Sequence, residues 1–401
     1  MYNLHLSAEQ LEFRNTVRDF VNDEIKPVTL KADRLDLSDR SLPIEVLRKA
    51  SQMGLRTLAL PEELGGVGAD GLTCCIVTEE LAVGDTDVAA VLSETSALGR
   101  ILFTAMSAPQ RERLLPSFLE DDDYHLALAN RELGNDTSLG VNYHRTAASE
   151  RRVATTATRD GGDWVINGTK DCVANAPVAK LFAVEAKTDK GIVTLLVLRD
   201  TSGLTITEQP DPRWYHGACG QIALKGCRVP AGNLLALSGQ PDNGRGIPLY
   251  EALNLGIGRT AYEAALEYAQ LRVQGGRRIV EHQAIGTKLA EIAIRLEVAR
   301  NTIWRAAWAS DHPDAFADRS LPDLPLSAIA RVFTAETIYR ATKDAAECFG
   351  AMGVMRDMPL QKYIHDAMIC LHTGDGSADA KLRIAEELAN FRRGATMQAA
   401  E

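Results

Sequence analysis

The sequence has 401 residues, of which 45% are hydrophobic and 24% are charged, and its formal net charge is −10. A chain of this length exceeds one small core, so we expect two or three subdomains, and the acidic balance argues against nucleic acid or an anionic membrane as the main partner. No run approaches the roughly 18 apolar residues of a membrane span. The seven cysteines lack the spacing of metal ligands or of a redox motif. These features predict a cytoplasmic protein with reduced thiols and no metal site.

Residues 6–124 are predicted to be mostly helical. Ser7 followed by Gln10 is typical of a helix N-cap, and apolar residues then recur near helical spacing over 11–21. Further helical patterns cover 42–53, 73–83 and 96–105, and the glycine-rich PEELGGVGAD at 61–70 interrupts them. These patterns indicate an N-terminal helical domain over residues 1–124.

Short β-rich runs follow between residues 151 and 230. The runs are RVATTATR, DWVING, LFAVEAKT, IVTLLVLR and GLTITEQ, and the turn signals DGGD, TDKG and DTSG lie between them. We therefore expect a small antiparallel β domain, which we assign to residues 125–232.

Long helices return after Gly246. Helical periodicity covers 249–272, 282–310, 325–349 and 359–370, and several long antiparallel helices form a bundle. We assign residues 233–401 to this C-terminal domain. The predicted fold class is α+β, mainly α, with the β domain between two helical domains.

The stretch GIGRTA at 256–261 matches the G-x-G-x-x-A dinucleotide fingerprint. That fingerprint requires a strand before the glycines and a helix after them, whereas both flanks here have helical patterns. Close helix packing through small residues is the favoured interpretation, and a nicotinamide site is the alternative.

The most informative stretch spans residues 347–388. A helical pattern ends at Gly350 and Gly353, an amphipathic run follows, and a second glycine loop at 374–377 opens another helix. Such a loop offers free backbone N–H groups and the positive end of a helix dipole, which suit a phosphate or another anion. Two ordinary helix caps are the alternative interpretation.

In their order along the chain, these pieces resemble the acyl-CoA dehydrogenase family. PEELGGVGAD resembles the family's Pro-Glu-Glu-x-Gly-Gly-x-Gly turn, and Gly168-Thr169-Lys170 resembles its Asn-Gly-x-Lys turn. Residues 271–300 resemble its Arg-x-x-Phe-Gly … Gln helix pair, and 347–388 resemble its Gly-Gly-x-Gly, Arg-Asp-Ala and Glu-Gly-Thr-Ser elements. The resemblance implies a C-terminal four-helix bundle and FAD held between domains of a homotetramer.

The resemblance also assigns cofactor-binding residues. It places Arg272 at a neighbouring subunit's FAD pyrophosphate, Gln283 near the same nucleotide, and Gly350 with Gly353 at the adenosine side. The other positions assigned to FAD are Thr137, Ala174, Gln274, Glu347, Gly376 and Ser377.

Several positions depart from the family pattern. The family's catalytic Glu falls on Gly374, Cys172 replaces the aromatic residue that covers the flavin, and Ala174 replaces the Thr that bonds flavin N5. The candidate replacement bases are Asp375 and Glu251, with His372 as a further substitute. For Asp375 the alternative role is a helix N-cap.

The implied activity is FAD-dependent α,β-desaturation of an acyl thioester. Because the pocket positions differ, we expect an unusual acyl group carried by CoA or by an acyl carrier protein. Electron-transfer flavoprotein or oxygen is the expected electron acceptor. Two alternatives remain open: a flavin monooxygenase or lyase on the same scaffold, and a catalytically silent subunit of a heterotetramer.

Overall fold

The computed structural model describes residues 5–31, 35, 40–132, 153–208, 214–236, 246–372 and 376–389. Its first part is helical, as the apolar periodicity predicts. Ser7 begins α1 with a reciprocal capping box, in which its hydroxyl accepts from the Gln10 backbone N–H and its own N–H donates to the Gln10 side chain. The N-terminal helices are α1 (Ala8–Phe20), α2 (Lys26–Thr29), α3 (Ile44–Gln52), α4 (Gly71–Gly84), α5 (Thr86–Ala105) and α6 (Ala108–Glu120), with a π-helical turn at Val21–Ile25.

Helix α5 is the central helix of this part. It begins ten residues earlier than predicted because the Asp85 carboxylate caps it by accepting from the Asp87 and Val88 N–H groups, each at 3.0 Å. Among the described helices, α5 alone has the length and apolar composition of a membrane span. More than half of its apolar window is buried inside the protein, as is typical of a core helix.

The middle part is one mixed sheet whose strand order is β6-β7-β3-β2-β4-β5-β8, with β1 paired to β4. Most pairings are antiparallel, as predicted, whereas β4 pairs in parallel with β1 and, at one residue pair, with β2. The strands are β1 (His125–Ala129), β2 (Thr156–Asp160), β3 (Asp163–Ala174), β4 (Ala179–Thr188), β5 (Gly191–Leu198), β6 (Leu204–Glu208), β7 (Cys219–Pro230) and β8 (Leu234–Leu235).

The C-terminal part is a helical bundle built around α7, which packs against α4, α8, α10 and α11. A hairpin of two short strands follows α7 and leads into α8. The elements are α7 (Leu249–Leu271), β9 (Val273–Gln274), β10 (Arg277–Arg278), α8 (Gln283–Asp311), α9 (Asp314–Ala317), α10 (Leu326–Cys348), α11 (Leu360–His372) and α12 (Gly376–Ala389).

The glycines of the GIGRTA stretch lie inside α7, so close helix packing accounts for them. A Cβ at Gly256 would lie 2.6 Å from both the Ala82 Cβ and the Glu79 carbonyl oxygen on α4. A Cβ at Gly258 would lie 2.8 Å from Leu296 on α8 and 2.9 Å from Ile338 on α10. The residues directly before them, 249–255, are helical rather than a strand, and the dinucleotide fingerprint is therefore coincidental here.

Three buried apolar clusters hold these parts together. One joins the N-terminal helices to the bundle, the second lies within the sheet, and the third joins α5 and α6 to the sheet. Phe103 and Phe118 stack in the third cluster with ring centroids 4.8 Å apart. The sheet is thus fixed on the N-terminal helices, and α5 contributes buried residues to both the first and the third cluster.

Candidate active site

Six of the residues assigned to FAD lie together at one end of the bundle. The C-terminal end of α7 meets the C-terminal end of α10, where Tyr268 stacks on Phe349 with ring centroids 4.3 Å apart. The first turns of α8 lie at the same end, because Lys288 forms an ion pair with Glu347. This end carries Arg272, Gln274, Gln283, Glu347, Gly350 and Gly353.

The donors of this group are exposed. Arg272 follows the last residue of α7, Gln274 lies in β9, Gln283 begins α8, and all three side chains face solvent. Arg272 forms no ion pair with any described residue, so its guanidinium is available to an external anion. A planar cation beside two amides can bind the oxygens of a pyrophosphate, and this donor set therefore fits the nucleotide part of FAD.

Two glycines shape the backbone at the same end. Gly350 has a φ of +58° in the left-handed region, and a Cβ there would meet no atom within 4 Å. At Gly353 a Cβ would lie 2.4 Å from the Ala346 carbonyl oxygen, so only glycine fits this turn. The turn leaves open space beside the exposed donors, as a bound nucleotide requires.

A second group of predicted residues lies near the opposite end of α7. Glu251 and Arg272 are separated by most of that helix, roughly 30 Å at 1.5 Å per residue. Ala174 ends β3 and is exposed, and the next residue, Asn175, donates from its side chain to the Val91 carbonyl and the Thr95 hydroxyl, both at 3.2 Å. This contact places Ala174 beside α5.

Glu251 is buried and ion-paired. Its carboxylate lies 3.4 Å from the Arg331 guanidinium, which also lies over the Tyr250 ring at 5.4 Å from the centroid. The Tyr250 hydroxyl lies 3.4 Å from Nδ1 of His216, and burial lowers the pKa of that imidazole to about 4. Glu251 is therefore held in a polar cluster with a neutral His216 rather than standing alone.

Other predicted residues lie around or outside the described part. Thr137, Gly374 and Asp375 fall on residues that the structure does not describe, as does the glycine-rich stretch before Gly246. Gly376 begins α12, and the Ser377 hydroxyl is buried without a hydrogen-bond partner in the described chain. An orphaned buried hydroxyl at this point suits a polar ligand. His372 ends α11 with an exposed side chain.

The structure adds a buried carboxylate, Asp366, that the sequence did not single out. It accepts from Arg40 at 2.8 Å, from Lys362 at 2.9 Å and from the Thr86 hydroxyl at 3.1 Å. Burial alone would raise the pKa of Asp366, but the charges of Arg40 and Lys362 outweigh it and hold that pKa well below its usual range. Asp366 thus connects the N-terminal segment, the start of α5 and α11.

A second addition is the ion pair of Glu132 and Lys170, in which Lys170 comes from the Gly168-Thr169-Lys170 turn. Glu132 accepts from Lys170 Nζ at 2.7 Å, from the Thr155 hydroxyl at 2.6 Å, and from the backbone N–H groups of Ala154 and Thr155. Lys170 is fully buried. Burial alone would raise the pKa of Glu132, but the hydrogen bonds from Lys170 and Thr155 outweigh burial and lower it to about 2.

This chain is similar to known proteins over nearly its whole length. Family models for the N-terminal, middle and C-terminal domains of acyl-CoA dehydrogenases match residues 7–122, 145–226 and 249–388. The probable acyl-CoA dehydrogenase YngJ of Bacillus subtilis (strain 168) is 30% identical over 405 residues, covering 96% of this chain and 99% of the relative. The mitochondrial short-chain specific acyl-CoA dehydrogenase of Mus musculus is 32% identical over 373 residues, covering 89% and 84%.

A solved structure shares the whole fold. The prolyl acyl carrier protein oxidase AnaB superposes with a TM-score of 0.78 and 23% identity, and the match covers 96% of this chain and 100% of AnaB. At this identity the likeness concerns the fold alone.

Proposed function

The chain belongs to the acyl-CoA dehydrogenase family, and we propose that it oxidises an acyl thioester between the α and β carbons with FAD as cofactor. The proposal rests mainly on two groups of residues near the two ends of α7. One group is rich in phosphate-binding donors, and the other lies next to Ala174. FAD, when bound, supplies the acceptor for the hydride that leaves the β carbon. The chain's own residues must bind the nucleotide, orient the thioester and take the α proton.

For the nucleotide, we propose that Arg272, Gln274 and Gln283 bind the pyrophosphate side and that Glu347, Gly350 and Gly353 form the adjoining turn. We place the flavin side at the other residue group. That group comprises Thr137, Ala174, Gly376 and Ser377.

Arg272 and Ala174, one from each group, lie near opposite ends of α7, which supports an assembly in which each cofactor receives one group from each of two chains. A homotetramer is the proposed form, and a heterotetramer with a related chain is the alternative. The proposed domain boundaries remain 1–124, 125–232 and 233–401.

The α proton requires a positioned base, because it is weakly acidic in water. We propose Asp375 first, since it adjoins the position of the family's Glu, and Glu251 second. Glu251 comes second because its carboxylate is already ion-paired with Arg331 at 3.4 Å. Asp375 is therefore the residue to change first.

The proposed substrate is an unusual acyl group carried by CoA or by an acyl carrier protein. The two relatives named for acyl-CoA support the first carrier, and the name of AnaB supports the second. Electron-transfer flavoprotein or oxygen is the proposed acceptor, and the cytoplasm is the proposed compartment.

The test begins with the purified chain and added FAD. We expect a flavin absorption band, and desaturation of a thioester when a CoA panel and a carrier-protein panel are assayed with an artificial electron acceptor. Asp375→Asn should retain flavin and lose about 10²–10⁴-fold in turnover. Gly374→Glu should gain activity on a simple acyl-CoA if only the base is missing. A chain that binds no flavin even with FAD in excess contradicts the proposal.

A further inference from the structure

Glu94 on α5 is a carboxylate without a partner in the described part of the chain. Its side chain is only partly exposed, and no hydrogen bond or ion pair to a described residue compensates it. Burial accordingly raises the pKa of Glu94. By contrast, the neighbouring helix α4 carries Glu79 and Glu80, which both pair with arginines. Withdrawing an unpaired carboxylate from water is costly, so its retention calls for a compensating charge.

The position of Glu94 follows from the contacts of its neighbours on α5. Residues three and four apart share one face of a helix, so Glu94 lies on the face of Ala90 and Val91. A Cβ at Gly217 would lie 3.1 Å from Val91 and 3.2 Å from Ala90, so this face is turned toward the segment that precedes β7. Glu94 therefore lies one helical turn along α5 from that contact.

A second contact brings Glu94 to the proposed flavin side. Thr95, the next residue, accepts from the Asn175 side chain at 3.2 Å, and Asn175 directly follows the exposed Ala174. Glu94 thus lies on α5 next to the contact between that helix and the end of β3. The groups that contact α5 at this place are Gly217, Asn175 and His125, whose ring lies 3.2 Å from the Thr95 hydroxyl. Burial lowers the pKa of His125 to about 4, so all three are uncharged near neutral pH.

We propose that Glu94 is a specificity-determining residue that binds a positively charged amine on the acyl group of the substrate. This inference rests on the proposed function, because it places the acyl group of a thioester beside Ala174. An ammonium group supplies the charge that the described protein does not supply, and a charge-assisted hydrogen bond would fix its position. The substrate class is therefore an amino-acyl thioester rather than a purely hydrocarbon one.

The experiment compares isosteric pairs of thioesters that differ only in the amine. The probes are pantetheine thioesters, since CoA and carrier proteins share that group. One pair is 3-aminopropanoyl and butanoyl, and the other is prolyl and cyclopentanecarbonyl. Dissociation constants are measured by calorimetry on the FAD-loaded protein, and KM and kcat are measured separately for each ligand that turns over.

Wild-type protein should bind the amine of at least one pair about 10- to 100-fold more tightly than its neutral partner, the range of a hydrogen bond to a charged group. Glu94→Gln should remove this preference through KM and leave the affinity for the neutral partner unchanged. The thermal midpoint of Glu94→Gln should be equal or higher, because the unpaired charge is gone. The matched control is Glu112→Gln, at an exposed position on α6, and it should keep the preference.

The inference would be overturned if the neutral thioester bound as tightly as the amine in both pairs, or if the preference for the amine survived Glu94→Gln. Either result would leave the proposed function standing. If no thioester binds while FAD is retained, the proposed function itself is wrong, and the inference falls with it.

Discussion

Lys170 is a fully buried lysine whose ammonium group lies 2.7 Å from the Glu132 carboxylate. We expect Lys170→Met to lower the free energy of unfolding by about 3–5 kcal/mol, because it leaves a buried carboxylate without its cation. The control is Lys180→Met, which removes a half-exposed pair with Asp121 and should cost only about 0–1 kcal/mol. If urea denaturation gave both variants the same loss in the free energy of unfolding, the buried Lys170–Glu132 pair would stabilise the fold no more than the exposed pair does.

The same ion pair should make the stability of the fold depend on pH in the acid range. The folded-state pKa of Glu132 is about 2, below its ordinary value of 4.5, so the stabilisation is complete above pH 4.5 and is lost as the pH falls toward 2. Glu132→Gln should therefore lose less stability than the wild type over this window. Thermal midpoints measured from pH 6 to pH 2 test the difference, and parallel curves would contradict it.

We expect a substitution at Arg272 to weaken cofactor binding without changing the stability of the fold. If its guanidinium binds the FAD pyrophosphate, Arg272→Ala should weaken FAD binding by roughly 1.5–3 kcal/mol, the range of a hydrogen bond to a charged group. Because the side chain is exposed and has no ion pair in the described chain, the apoprotein's thermal midpoint should not change. Unchanged flavin retention on gel filtration would remove Arg272 from the site.

At the residue scale, sequence motifs located candidate positions but not their partners. Arg272, Gln283 and Gly350 were named separately, and the fold brings them to one end of the bundle. Asp366 went unnoticed because Arg40 and Thr86 lie 326 and 280 residues away in sequence, and no local pattern records such contacts. Glu94 was likewise missed, since an acid within a helical pattern usually faces solvent.

At the element scale, the helices of the bundle followed their apolar periodicity to within one or two residues. Helix α6 lay in the region predicted to be helical, although its bounds were not given. Apart from the two-residue strands β8, β9 and β10, two strands, β1 and β7, were not among the predicted runs. β1 is only five residues long, and β7 contains the polar and glycine positions of CGQIALKGCRVP. Both strands are fixed by pairing with distant strands, and this is why local propensity did not reveal them.

The packing of α7 predicts different losses of stability when its two glycines, Gly256 and Gly258, are replaced by alanine. Gly256→Ala would push a Cβ against the Glu79 carbonyl, a backbone atom, and should cost about 1–3 kcal/mol despite the better helix propensity of alanine. The three atoms nearest to a Cβ at Gly258 belong to the side chains of Leu296 and Ile338 rather than to the backbone, so Gly258→Ala is the matched control and should cost less. Chemical denaturation that ranks the two variants in the opposite order would refute this account of the helix contact.

At the scale of the whole molecule, the exposed apolar residues predict an assembly. On α8, Ile294 and Val298 are 62% and 45% exposed and lie one turn apart on the bundle. On α10, by contrast, the apolar residues Ile329, Val332 and Phe333 are half-buried and Ile338 is fully buried. The buried Ile338 packs in the core of the single chain and is unavailable to a second copy.

We expect four chains with the bundle at the centre. Light scattering at micromolar concentration should report a tetramer, and Ile294→Asp with Val298→Asp should shift it to smaller species, because charges would replace the apolar contact. Ile192→Asp is the control, since Ile192 is equally exposed but lies in the sheet. A wild-type monomer under these conditions contradicts the proposed assembly.

The single carboxylate of Glu132 also has a consequence for how members of this family can diverge. It binds residues on both sides of the stretch 133–152, through its own position and through Ala154 and Thr155. Glu132 and Ala154, which flank that stretch, are therefore held next to each other by this carboxylate, whatever sequence lies between them. Since the entropy of closing a loop rises slowly with its length, insertions or replacements there should be tolerated. Transplanting the corresponding stretch from a relative should accordingly leave the register of the surrounding strands unchanged.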